Sequence, residues 1–141
     1  MMRSVQYLQL LALLGGTLFA WNVVADDIAR GFNPVKIMCF YGALGLTVAA
    51  LSALYILFTP DKIDRLWQRF ITWLLGLGTI FAWSNWSYVA YKLFRGEQCL
   101  SACPADVTNP FLTPCFYGAC IYLAAFLIAL FLHYRGQRKT K

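Results

Sequence analysis

The sequence predicts an all-α membrane protein with four transmembrane helices, built from two tandem helical hairpins that enter the bilayer in the same direction. Three observations lead there. Hydrophobic residues fill 60% of the 141 positions and charged residues only 13%, about half the charged share of soluble domains. A water-soluble fold of this length cannot bury so much apolar surface in one core, and the same richness excludes disorder. Four stretches, 4–25, 37–60, 70–91 and 107–134, carry no Asp, Glu, Lys or Arg. Each can supply the roughly 20 apolar residues that cross a bilayer as a helix. Finally, the chain resembles itself. GTLFAW at 16–21 matches GTIFAW at 78–83, and NPVKIMCFYGA at 33–43 matches NPFLTPCFYGA at 109–119, with seven of eleven positions identical.

Helix 1 follows Arg3 and ends near Val23-Val24-Ala25 before Asp26, a pattern that also suits a secretory signal peptide. The repeat argues against cleavage, because a discarded leader has no reason to match an internal span. Helix 1 therefore corresponds to helix 3, and helix 2 to helix 4. The single domain, 1–141, divides into a first repeat at about 5–59, a second at about 70–134, and a basic tail at 135–141. Both copies begin on the same side, so the halves are expected to be related by a pseudo-twofold axis along the membrane normal. The offset between copies grows from 62 at the GTxFAW motif to 65 at Arg30-Gly31 and Arg95-Gly96, then to 76 at the NP motif. The second outer loop thus holds an 11-residue insertion, which contains Cys99 and Cys103.

Gly16 and Ala20, like Gly78 and Ala82, stand four residues apart. Small residues at this spacing let helices approach closely in lipid, and they predict close packing of helices 1 and 3. A pore along that seam is the functional alternative. Gly42 and Gly118 predict a second pair of close approaches. Asn33-Pro34 is a helix-start signal. In the second copy the start falls at Asn109-Pro110 or at Thr113-Pro114. Trp67 and Trp73 flank the inner end of helix 3, while Trp21, Trp83, Trp86, Tyr88 and Tyr91 gather at the outer side as an interfacial belt. Stacking on a cofactor is the alternative for Trp83 and Trp86.

Charge sets the expected topology. The amino terminus, the middle loop and the tail together carry eight basic residues, and the other two loops carry four. The positive-inside rule then places both termini in the cytoplasm, in the inner or plasma membrane. The basic tail meets anionic headgroups there. Four dispersed charges make too small a footprint for nucleic acid, so the expected partner is the lipid bilayer, with a second copy or another membrane protein left open.

Five cysteines carry the only promising chemistry: Cys39, Cys99, Cys103, Cys115 and Cys120. Cys99 and Cys103 lie in the outer loop, with Cys39 and Cys115 at its edge; in an oxidising compartment these four can pair. Cys120 lies about 7 Å deeper in helix 4 and reads as a buried free thiol. The leading reading is a structural or interaction protein whose outer loop is stapled by a disulfide, either Cys99 to Cys103 or Cys103 to Cys115. The alternative is a membrane thiol–disulfide oxidoreductase. The backbone of a helix's first turn favours a thiolate, which suits Cys115 if helix 4 starts at Pro114. No metal site is expected, because the cysteine spacings match no zinc pattern and His133 lies at the other membrane face. The apolar spans lack ionisable acids and bases, which lowers a third reading, a small transporter or channel subunit. Asn22, Ser84, Asn85 and Ser87 are expected to bond between helices or line a small polar pocket, and Asp26 and Asp27 to be solvated. No hydrolase triad or phosphate loop is present.

The size, the four helices, the cysteine-bearing loop between helices 3 and 4, and Cys39 at the start of helix 2 together resemble the small thiol oxidoreductases of the DsbB and vitamin K epoxide reductase types. That resemblance implies oxidation of thiols outside the membrane and reduction of a quinone within it. A quinone is therefore the one cofactor implied, under the redox alternative alone; otherwise none is expected. The chain departs from those proteins in having no CxxC pair and no second cysteine beside Cys39.

Overall fold

Each hairpin opens with a long helix that a glycine brings to a stop. In the computed structural model, which describes residues 2–59, 64–97 and 108–138, α1 runs Met2–Ala29 and α3 runs Asp64–Phe94. Gly31 follows α1 with φ of 88°, and Gly96 follows α3 with φ of 74°. Gly31 N–H donates to Ile28 O and Phe32 N–H to Asp27 O; Gly96 N–H donates to Leu93 O and Glu97 N–H to Lys92 O. Both ends are Schellman caps, in which a residue without Cβ takes the left-handed position.

The second helix of each hairpin is entered through a 3-10 turn, Pro34–Lys36 or Pro110–Leu112. The Asn33 side chain accepts from Val35 N–H at 3.1 Å, and that of Asn109 from Phe111 N–H at 3.0 Å. One extended residue follows, Ile37 or Thr113, before α2 (Met38–Phe58) or α4 (Pro114–Arg138) begins. Of the two starts open for helix 4, the second holds. Pro114 occupies the first position, where its missing N–H costs nothing. Pro110 heads its own turn and leaves α4 undistorted.

Among the described residues the chain is all-helical. Three helices, within Ser4–Ala29, Met38–Phe58 and Pro114–Arg135, are long and apolar enough to cross a membrane. The 31-residue α3 is long enough, but Trp83-Ser84-Asn85-Trp86-Ser87 dilutes its apolar character. The outward faces of the helices are apolar: Leu18, Trp73 and Ile80 are 72%, 67% and 66% exposed. Such a surface is costly in water and ordinary against lipid.

The four helices form a square. α1 packs on α2 and α4, and α3 packs on α2 and α4. The expected seam between helices 1 and 3 is therefore corrected: these two lie on a diagonal, and their small residues receive side chains from α2 and α4. A Cβ on Gly16 would stand 2.6 Å from Ile121 Cγ2, and one on Gly78 would run into the Tyr122 ring. Ala20 and Ala82 pack on the same core. Gly42 lies against Tyr122, with 3.8 Å to a hypothetical Cβ, whereas nothing comes within 4 Å at Gly118. Leu13, Leu46, Ile71, Leu75 and Tyr122 fill the centre, and Ala49, Ala53, Ala125 and Ala129 let the helices close around them.

Candidate functional site

At one end of the square, the starts of α2 and α4 meet the ends of α1 and α3. Cys39 and Cys115 each lie in the first turn of their helices. The two helices are diagonal neighbours, yet Cys39 packs against the cluster that holds Cys115, and both line one cleft. Cys115 is buried with Val89, and Cys39, Val23, Trp86 and Leu93 pack around that pair. Both sulfurs are free and short of a covalent bond. The identical motif NPxxxxCFYGA therefore delivers its cysteine to one shared point.

A third group joins them from α1. Asp27 is only 2% exposed, and its carboxyl stands close enough to act electrostatically on both sulfurs. The expectation that Asp26 and Asp27 are both solvated holds for Asp26, which is exposed, and fails for Asp27. The signal was available in the helix period. Gln9, Leu13, Gly16, Val24 and Asp27 are all buried, and with Ala20 they recur every three or four residues along a single face of α1.

A cleft of about 60 Å³ opens onto the thiols. Cys39 and Cys115 line it with Val23, Met38, Gly42, Ala82, Asn85 and Tyr122. It is large enough for water-sized or slender apolar occupants. Of the four polar residues expected here, Asn85 alone lines the cleft. Ser87 donates to Trp83 O within its own helix, and Asn22 and Ser84 are exposed.

The aromatic residues form the wall beside the site. Trp83 and Trp86 meet edge to face at 5.3 Å, and Trp86 packs on Phe111 and Phe116 at 5.6 and 5.4 Å. Their faces are thus taken by protein, which counts against cofactor stacking. Pro110 O accepts from both Trp86 Nε1 at 3.2 Å and Thr113 Oγ1 at 2.7 Å. Thr113 is fully buried and its N–H reaches the same oxygen at 3.4 Å, so this shared carbonyl fixes the turn that leads into Cys115.

Other cysteine expectations fare differently. Cys120 is free and exposed, which corrects its reading as a buried thiol: it falls five residues after Cys115, on the opposite side of α4. Cys99 and Cys103 lie outside the described residues, and so do the staples that involve them. His133 stands near the far end of α4. Among the described residues no group of three His, Cys, Asp or Glu side chains is placed to hold a metal ion.

Two thiols at one cleft can be joined by a disulfide if they approach, and a buried carboxyl nearby acts on the charge of both. No protein-family model matches the chain, and neither a curated protein nor a solved structure was found to match it.

Proposed function

We propose that the chain is a membrane protein that crosses the bilayer four times and works at its outer end by thiol–disulfide exchange through Cys39 and Cys115. The observation that carries this reading is the packing of two thiols from different hairpins around one cleft, at the same end of the bundle as a buried acid. A permanent staple, as the structural reading has it, needs neither the cleft nor the acid. Four spans are supported by the place of α3 in the square and by its length of about 46 Å, against a hydrocarbon core of about 30 Å. The matched Schellman caps, Asn caps and cysteines support a duplicated hairpin. The count of basic residues supports cytoplasmic termini in a cell membrane.

The oxidant is a protein disulfide, and the pair formed by Cys99 and Cys103 in the same chain is the one we assign. One thiol of the site loses its proton to Asp27 and attacks a sulfur of that disulfide. The incoming S–S bond breaks, a mixed disulfide forms, and the departing thiolate takes up the proton. The second site thiol then attacks the mixed disulfide and displaces the remaining sulfur, which is protonated in turn. The net result is a Cys39–Cys115 disulfide and two loop thiols, with two electrons and two protons passed to the loop. The reverse reaction follows the same path.

The test is thiol trapping of the full chain in its host membrane. The expected result is a mixture of oxidised and reduced Cys39–Cys115 that shifts with added dithiol or disulfide. Cys99→Ser or Cys103→Ser should leave the pair reduced. A single oxidised state that resists mild reductant, or a pair that stays reduced in every condition, defeats the exchange reading.

A further inference from the structure

Away from the thiols, a groove of about 500 Å³ runs down the outside of the bundle between α3 and α4. Trp73 and Leu77 on one side and Leu123 and Phe126 on the other form its apolar walls. Arg69, His133 and Tyr134 stand at its mouth. From Arg69 to Ile80 the groove follows twelve residues of α3, a rise of about 16 Å. That is about half of a 30 Å hydrocarbon core, the depth of one leaflet.

The threonine hydroxyls along the groove are satisfied within their own helix. Thr72 Oγ1 donates to Gln68 O at 2.8 Å, and Thr79 Oγ1 donates to Leu75 O at 2.7 Å. Gly76 keeps the floor deep: a Cβ there would come within 3.1 Å of Phe126 Cε2. The mouth is cationic. Arg69 is exposed, among the described residues no acidic side chain lines the groove, and the Arg135 guanidinium lies 4.6 Å over the Phe131 ring on the same helix end.

We infer that this groove binds one anionic phospholipid, with an acyl chain along the α3–α4 seam and its phosphate between Arg69 and His133. A second copy fits less well. A symmetric pair meeting at this face would bring Arg69 toward its own counterpart, and like charges oppose that contact. An anionic headgroup complements the same charges. The inference rests on the membrane reading and is independent of the thiol chemistry.

Native mass spectrometry of the full chain tests it, using phosphatidylglycerol and phosphatidylcholine with identical acyl chains. The expected result is one retained phosphatidylglycerol, bound about fivefold more tightly than phosphatidylcholine, the factor one basic group near a membrane surface supplies. Arg69→Gln should abolish the preference while weak binding of both lipids remains. Ile80→Trp, at a 66% exposed position, should weaken both. Equal retention of the two lipids by the wild type, or an undiminished preference in Arg69→Gln, overturns the inference. So does a two-chain mass that Ile80→Trp removes, because a second copy then occupies the face. Thiol trapping of the same samples reports separately on Cys39 and Cys115.

Discussion

The hydroxyl of Tyr122 on α4 donates to the backbone carbonyl of Gly42 on α2, across the centre of the square. On its way the ring lies against Gly78 of α3 and leaves no room for a Cβ there. One side chain thereby ties three helices together just below the thiol pair.

Two substitutions separate the ring from the hydroxyl. Tyr122→Phe should lower stability in detergent by about 0.6 kcal/mol, the usual worth of an interhelical hydrogen bond in a membrane protein. Gly78→Val forces the ring out of place and should cost about 1–3 kcal/mol. Thermal denaturation of both variants checks the order, and a Gly78→Val as stable as the wild type contradicts the packing described.

Thr113→Val keeps the shape of the side chain and deletes its hydroxyl. Pro110 O still accepts from Trp86 Nε1, so the loss should stay near 1 kcal/mol. Combined with Trp86→Phe it should exceed the sum of the two single losses, because the buried carbonyl then keeps only the long 3.4 Å bond from Thr113 N–H. A double-mutant cycle measures the coupling, and strict additivity would mean the two bonds do not share their acceptor in solution.

At the opposite end Gln68 Nε2 donates to Ala129 O at 3.2 Å, and Thr72 Oγ1 lies 3.4 Å from the same oxygen. Gln68→Met preserves length and removes the donor. The expected cost is about 0.6 kcal/mol, with the thiol-trapping pattern unchanged. A change in that pattern would show that the two ends are coupled.

Single-cysteine reporters in a cysteine-free background test the four spans. Asp61→Cys and Gln137→Cys should resist an impermeant maleimide added from outside intact cells, and Glu97→Cys should react. Labelling of Asp61→Cys and Glu97→Cys from the same side would mean that α3 does not cross.

The helices and their order were legible because apolar runs and glycine stops are local signals. The cysteine meeting was half legible. Repetition of NPxxxxCFYGA placed Cys39 and Cys115 at equivalent positions, but equivalence under a twofold does not by itself say that two points touch. Asp27 was missed because a charge at a helix end reads as solvated unless the period of its face is followed through Val24 to the last turn. The α1–α3 seam was misjudged because small residues announce that something approaches closely without saying what. Here the approaching groups are Ile121 and Tyr122, large residues supplied by α4.

The diagonal placement of the two sulfurs has a mechanical meaning. A frame of four rods touching only along its edges can shear like a hinged parallelogram. A strut from corner to corner divides it into triangles, which resist that motion. Joining Cys39 to Cys115 would insert such a strut, so the electron balance of one atom pair would govern how freely the whole molecule deforms in the membrane.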